Sequence, residues 1–351
     1  MEDQFFLDTP FQAYLREHAL VPFGGGAFMS NTFLYAPMIG GAYAKGDTWN
    51  ITKRQTLAGT VFDMRFYEVA IPEYLEDLEV YNKGPLAVYS LVDLDLRNAM
   101  QTISAIIAID LSLHGQNSSG TTIIGNRPKA LNGWIEAIND GVTPGWDGSK
   151  FAAYGTQARN GAIGNVMNSV PYFAGNLDGT VAPIQYNTLL ENYLDASIGK
   201  EAPNLMVGNK AVIAYVKERM QVQQRFAQEK DPIFGVTGFR FEDAMVLKDD
   251  YFPSLKYGKN DPDIGNWLSG TYTSPASTDA SAYVVTASNM PASVTINVGE
   301  VLAMYNTKKW LFRVSNSRQY GFGFSGFVPA QDNSKVVETI KAGVNLECLA
   351  P

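Results

Sequence analysis

Between residues 85 and 116 the chain reads PLAVYSLVDLDLRNAMQTISAIIAIDLSLHGQ. Val92, Leu96, Ala99, Ile103, Ile106 and Leu113 recur at spacings of three, four and seven, which predicts one long amphipathic helix. Pro85 suits its first position, Asp110 interrupts the stripe near the end, and Gly115 stops it. At about 1.5 Å per residue the helix would reach roughly 48 Å, long for a compact domain. Ile103, Ile106, Ile107 and Ile109 are β-branched, so the last third also reads as a strand.

Period-two alternation marks 46–72, GDTWNITKRQTLAGTVFDMRFYEVAIP. Trp49 and Ile51 alternate with polar neighbours, as do Phe62, Met64 and Phe66 with Asp63, Arg65 and Tyr67. The pattern predicts two strands joined as a hairpin at Leu57-Ala58-Gly59. Lys53, Arg54, Asp63, Arg65 and Glu68 form one solvated or partner-facing side. Upstream, 1–45 offers a short helix at 11–18, then Pro22, Gly24-Gly25-Gly26, Pro37 and Gly40-Gly41. That is an extended arm, and its Phe23, Phe28, Phe33, Leu34 and Tyr35 need a surface to lie on.

From 125 to 184 the chain is rich in Gly, Asn and Trp, so turns dominate. TLLENYLDASI and KAVIAYVKERMQVQQRF read as helices around the short strand APNLMVGN. VTGFRFEDAMVLKDDYFP gives two short strands, and 258–297 is loop-heavy. VGEVLAMYNTKKWLFRVS and the closing KVVETIKAGVNLECLA are further strands without obvious local partners. The sum is an α+β chain with non-local pairing.

Composition is that of a globular protein: 351 residues, 46% hydrophobic and 18% charged. A formal net charge of −8 argues against tight sequence-independent nucleic-acid binding, which needs Lys and Arg to displace counterions. Cys348 is the one cysteine, so no intrachain disulfide forms. The acids Glu2 and Asp3 leave no basic region of a secretory signal. No apolar run reaches the ~18 residues that span a bilayer.

Little chemistry is on offer. With His18 and His114 the only histidines, a Cys/His zinc cluster is excluded by count, and both are expected at the surface or at a helix cap. GFGFSGFV, 321–328, matches a kinase glycine loop in letters, but only a short tail follows and Pro329 stands where a helix would run; a strand pair bent at glycines is the expectation. Carboxylate groups at Glu73/Glu76/Asp77/Glu79 and Asp249/Asp250 could serve acid–base catalysis or simply be solvated. The mixed-charge run KERMQVQQRFAQEKDP, 217–232, points to subunit contacts.

In order, the parts are an apolar arm, a projecting hairpin, a long helix, a Gly/Asn-rich α+β middle and a β return. They resemble a tailed-bacteriophage major capsid protein of the Hong Kong 97 type. The wording is closest in YNTLLENYLDASIGKEAPNLMVGNKAVIAYVKERMQVQQRFAQEKDPIFGVTGFRFEDAMVLKDDYFPSLKYG, 186–258, and NTKKWLFRVSNSRQYGFGFSGFVPAQDN, 306–333.

The resemblance implies an N-terminal arm over 1–45 and an extended loop over 46–84. It implies a peripheral domain with a spine helix over 85–130, an axial domain over 131–289, and return strands of the peripheral domain over 290–351. It implies a shell of pentamers and hexamers enclosing double-stranded DNA without specific binding, with no active site, cofactor or membrane. Portal and scaffolding or decoration proteins are the implied partners, and a virion assembled in the bacterial host's cytoplasm is the implied location. With the arm starting at Met1 and no partner Asn marked for Lys53, a separate scaffolding protein or none, and non-covalent assembly, are expected.

Subunit contacts are expected in the arm at Phe23, Phe28 and Phe33, and in the hairpin at Trp49, Ile51, Lys53, Arg54, Arg65 and Phe66. A third group is Gln221, Gln224, Arg225, Glu229 and Lys230. The alternatives are an encapsulin-like nanocompartment, a carboxylate-dependent carbohydrate-active enzyme, or a tail or decoration protein.

Overall fold

The structure is a computed structural model that describes residues 9–34, 38–48, 51–53, 56–74, 76, 91–115, 129–139, 141, 150–158, 186–197, 200–220, 228–230, 237–252, 301–326, 328–329 and 335–349. Two sheets organise them, and one 14-residue strand, β15 (Lys335–Cys348), is the axis of the larger. Along one edge β15 pairs antiparallel with β4 (Arg65–Tyr74), from Lys335↔Tyr74 to Val344↔Arg65. Along the other edge it meets β14 (Val328–Pro329), β13 (Gly321–Phe324) and β12 (Trp310–Ser315) in turn. Outside β12 runs β1 (Leu20–Phe23), parallel, with Leu20 opposite Phe312. The closing segment was expected to have no obvious local partners, yet β12, β13 and β14, the strands just before it in sequence, line one of its edges, while β4 comes from far upstream.

The smaller sheet runs in the order β11 (Leu302–Tyr305), β7 (Leu205–Gly208), β10 (Ala244–Lys248), β9 (Thr237–Phe241), β8 (Gln228–Lys230). Its central strands are buried on both faces, and the pleat divides them. Leu205, Val207, Leu247, Ala303 and Tyr305 point into the core shared with the larger sheet. Met206, Ala244 and Val246 point into a second core under α4 (Tyr186–Asp195) and α5 (Lys210–Met220). The strand–helix order expected over 186–248 is present, with 221–227 outside the described residues.

Three helices serve the main core. α1 (Pro10–His18) has Pro at its first turn and buries Phe11, Tyr14 and Leu15. α2 (Leu91–Asp110) buries Ala99, Ile103 and Ile107, an every-fourth-residue stripe that Leu111, just past its end, continues. α3 (Trp134–Ile138) is short and wholly internal at Trp134 and Ala137. Five rings from distant segments knot these pieces together. Phe11 stacks on Tyr305 at 5.0 Å, Trp134 lies flat on Phe252 at 5.2 Å, and Trp310 meets Tyr305 edge-on at 5.4 Å.

Several expectations are corrected. The last third of the long helix is helical, not extended; β-branched propensity yields there to burial on every side, from Ser104 to Asp110. The helix ends at Asp110 rather than at Gly115, where Ser112 and Leu113 close tighter i→i+3 bonds. Its expected start at Pro85 lies outside the described residues. The hairpin expected over 46–72 does not form: 57–59 is strand, not turn. β3 (Leu57–Phe62) pairs antiparallel with β2 (Met29–Leu34), from Met29↔Phe62 to Leu34↔Leu57, while β4 pairs with β15. A two-residue break at Asp63 and Met64 sends the chain from one sheet to the other. The arm is also more regular than expected, since it supplies β1 and β2. Finally, β11 lies within the expected return strands of 290–351 but belongs to the smaller sheet, and α3 lies within the expected axial span of 131–289 but packs in the main core.

Candidate intersubunit surface

β2 and β3 form a two-stranded ribbon by themselves. At its base Met29 and Phe62 are buried in the main core; at its outer end Leu34 is 70% and Leu57 is 55% exposed. The chain joining the two strands carries Met38, Tyr43 and Ile51, the last 90% exposed. Exposed apolar side chains concentrated on one segment mark a surface for association, and isolated two-stranded ribbons are marginal in water. The sequence-expected contact residues do not share one location.

Ile51 and Lys53 stand exposed on this projection, and Phe28 is 55% exposed beside its base. Phe23 and Phe33 are half-buried and pack at the rim of the chain's own core, so intrachain contacts use much of their surface. Arg65 and Phe66 begin β4 instead of a hairpin strand. Arg65 is half-buried opposite Val344, while Phe66 is 62% exposed and meets Tyr320 edge-on at 5.3 Å. Glu229 and Lys230 lie on β8, the outermost strand of the smaller sheet. Trp49, Arg54, Gln221, Gln224 and Arg225 lie outside the described residues.

Met38, Ile39 and Tyr43 were not singled out by sequence. Their signal was present, as apolar residues inside a Gly-punctuated segment, but that signal does not separate an exposed residue from one lying on the body.

A solved structure shares this arrangement of elements over nearly the whole chain. The capsid of a native GTA particle aligns with 96% of this chain and 86% of its own at 11% identity, with a TM-score of 0.51. The fold is that of the Hong Kong 97 shell proteins. Lower similarity is found to the holo-SrpI encapsulin complex from Synechococcus elongatus PCC 7942, at 9% identity, 96% and 83% coverage and a TM-score of 0.48. No protein-family model and no curated protein sequence matches the chain.

Within this Hong Kong 97 fold the candidate chemistry disperses. Asp249 and Asp250 do not form a working acid pair. Asp249 is 2% exposed and accepts the Phe11 and Tyr251 backbone N–H groups at 3.0 and 2.8 Å. Asp250 faces solvent and pairs with Lys248 at 2.7 Å. Burial raises the Asp249 carboxyl to about 6, against the lowering effect of its two N–H donors. Of the other acid group, Glu73 is buried on β4 and Glu76 is exposed; Asp77 and Glu79 lie outside the described residues.

The histidines also have structural surroundings. His18 stacks on Tyr14 at 4.0 Å, with Nδ1 3.1 Å from the Tyr14 carbonyl oxygen. His114, expected at the surface or a cap, is fully buried edge-on to Phe151, because the chain turns inward after α2. The glycine-loop match at 321–328 lies on strands: β13 and β14 both run along β15, and among the described residues no helix follows. Among the described residues no helix is long and apolar enough to cross a membrane.

Proposed function

We propose that the chain is a structural subunit of a closed icosahedral shell, a phage-type head whose pentamers and hexamers enclose double-stranded DNA. The observation that carries this reading is the ribbon of β2 and β3, whose outer apolar residues the chain does not bury, on a Hong Kong 97 scaffold. Apolar side chains left in water cost roughly 1.5–3 kcal/mol each relative to burial. Docked on a neighbouring copy they join an obligate interface, typically about 2,000–5,000 Å². In this reading the ribbon and its connection are the extended loop, α2 is the spine helix, the larger sheet is the body of the peripheral domain, and the smaller sheet with α4 and α5 is the axial domain.

The net charge of −8 suits a container into which DNA is packed, not a surface that adsorbs it. Portal and scaffolding or decoration proteins would complete the assembly, and the virion is the place of the finished protein.

Negative-stain microscopy of the purified protein tests the reading. Icosahedral particles, or free pentamers and hexamers, are the expected result, and DNA shielded from nuclease is expected in particles from infected cells. Particles that instead enclose a protein cargo would make the chain a nanocompartment subunit. A monomer at high concentration would end the shell reading altogether.

A further inference from the structure

The base of the ribbon is held by a closed polar triangle whose members come from three separate parts of the chain. Asn31 on β2 donates its amide to Glu347 Oε2 at 2.5 Å. Arg313 on β12 donates Nε to the same oxygen at 3.3 Å and Nη2 to the Asn31 side-chain oxygen at 3.0 Å. The Glu347 side chain is fully buried and that of Arg313 is 17% exposed. The opposite side is gripped by the turn between β5 (Ala153–Tyr154) and β6 (Gln157–Ala158). Val61 N–H donates to the Gly155 carbonyl at 2.9 Å, Gln157 donates to the Gly59 carbonyl at 2.5 Å, and Phe62 meets Tyr154 at 5.0 Å. Beyond these rungs Leu34 and Leu57 are exposed.

A buried carboxylate is tolerated only while its partners stay in place, because an unpaired charge away from water is strongly unfavourable. Glu347 therefore ties the ribbon to the sheet in one direction: Asn31 cannot swing away without stripping a bond from both the carboxylate and the guanidinium. The planar guanidinium spans both partners at fixed angles, which a lysine ammonium cannot do.

We propose that Asn31, Arg313 and Glu347 are positioning residues that fix the angle at which the ribbon leaves the body, and through it the curvature of the assembled shell. The second half of this statement rests on the shell reading above; the first half does not.

The test uses the full chain and its Arg313→Gln, Arg313→Lys and Asn31→Ala variants. Hydrogen exchange by mass spectrometry follows 29–34 and 57–62, with 205–208 and 244–248 as internal reference, and microscopy gives particle diameters. All three variants should speed ribbon exchange about tenfold or more while the reference strands stay unchanged, and should broaden or shift the diameters. Arg313→Lys matching wild type in both would overturn the role of the fork. Faster exchange with unaltered diameters would overturn the link to curvature. If Arg313 variants also loosen the reference strands, Asn31→Ala decides, since it leaves the Arg313–Glu347 pair intact. Should the wild type form no shells, the shell reading fails by itself, and the exchange data still decide the clamp.

Discussion

The carboxylate of Asp249 accepts the backbone N–H of Phe11 at 3.0 Å across 238 positions of sequence. Helix α1 needs this bond. Pro10 has no N–H to offer, and Thr9 at the cap position makes no side-chain capping bond. A cap usually supplied by a neighbour in sequence here comes from the end of β10, so the arm helix is fixed to the smaller sheet.

Burial of that carboxyl, against the opposing effect of the bond, gives stability a pH dependence. The folded state raises the Asp249 carboxyl from 3.8 to about 6, chiefly through burial, so folding favours its protonated form. Its contribution is full below pH ~3.8 and is lost as pH rises through 6, a difference on the order of 3 kcal/mol. Asp249→Asn cannot titrate. Urea melts of both proteins from pH 4 to 7.5 should show the wild type gaining on the variant as pH falls; parallel curves would refute the assignment.

Gly323→Ala should destabilise the chain by about 1–3 kcal/mol without touching any ligand site. An added Cβ would overlap the Arg318 carbonyl oxygen, a backbone atom that cannot step aside. The expected readouts are a lower denaturant midpoint and no nucleotide binding by either protein. Nucleotide-dependent stabilisation of the wild type would contradict the strand reading of 321–328.

Ile51→Asp should separate folding from assembly. At 90% exposure the side chain contributes almost nothing to the isolated subunit, so its melting temperature should move by the equivalent of less than about 0.5 kcal/mol. Particle yield should collapse, as sedimentation and microscopy would record. Normal particles from this variant would remove Ile51 from the interface.

Trp134→Ala should cost about 3–5 kcal/mol. The indole is fully buried, lies on Phe252 and donates Nε1–H to Ser112 Oγ at 3.0 Å. Trp134→Phe keeps the stacking and loses the hydrogen bond, so it should cost clearly less. Equilibrium denaturation of the pair orders them.

Much of this fold could be read along the chain. The stripe through Leu96, Ala99 and Ile103 announced α2, and the segment VTGFRFEDAMVLKDDYFP announced the two short strands β9 and β10. What misled was β3. Residues 57–59, Leu-Ala-Gly, look like a turn when only the adjacent strands are considered. They form strand because β2, more than twenty positions upstream, supplies their hydrogen bonds. Asn345 and Glu347 carried a signal that went unused, polar residues at every second position of an apolar strand, and both are buried hubs of hydrogen bonds.

Period and composition determined the elements, since hydrophobic spacing is a local property that needs no partner to be recognised. They also limited the chemistry, because two histidines and one cysteine restrict any site. Which strand lies beside which was decided only in three dimensions. Apart from proline, backbone N–H and C=O groups are the same at every residue, so β4 and β15 carry no local mark of each other. The carboxylate that caps α1 and the triangle at Asn31 likewise exist only once chain closure has brought their members within a few ångströms.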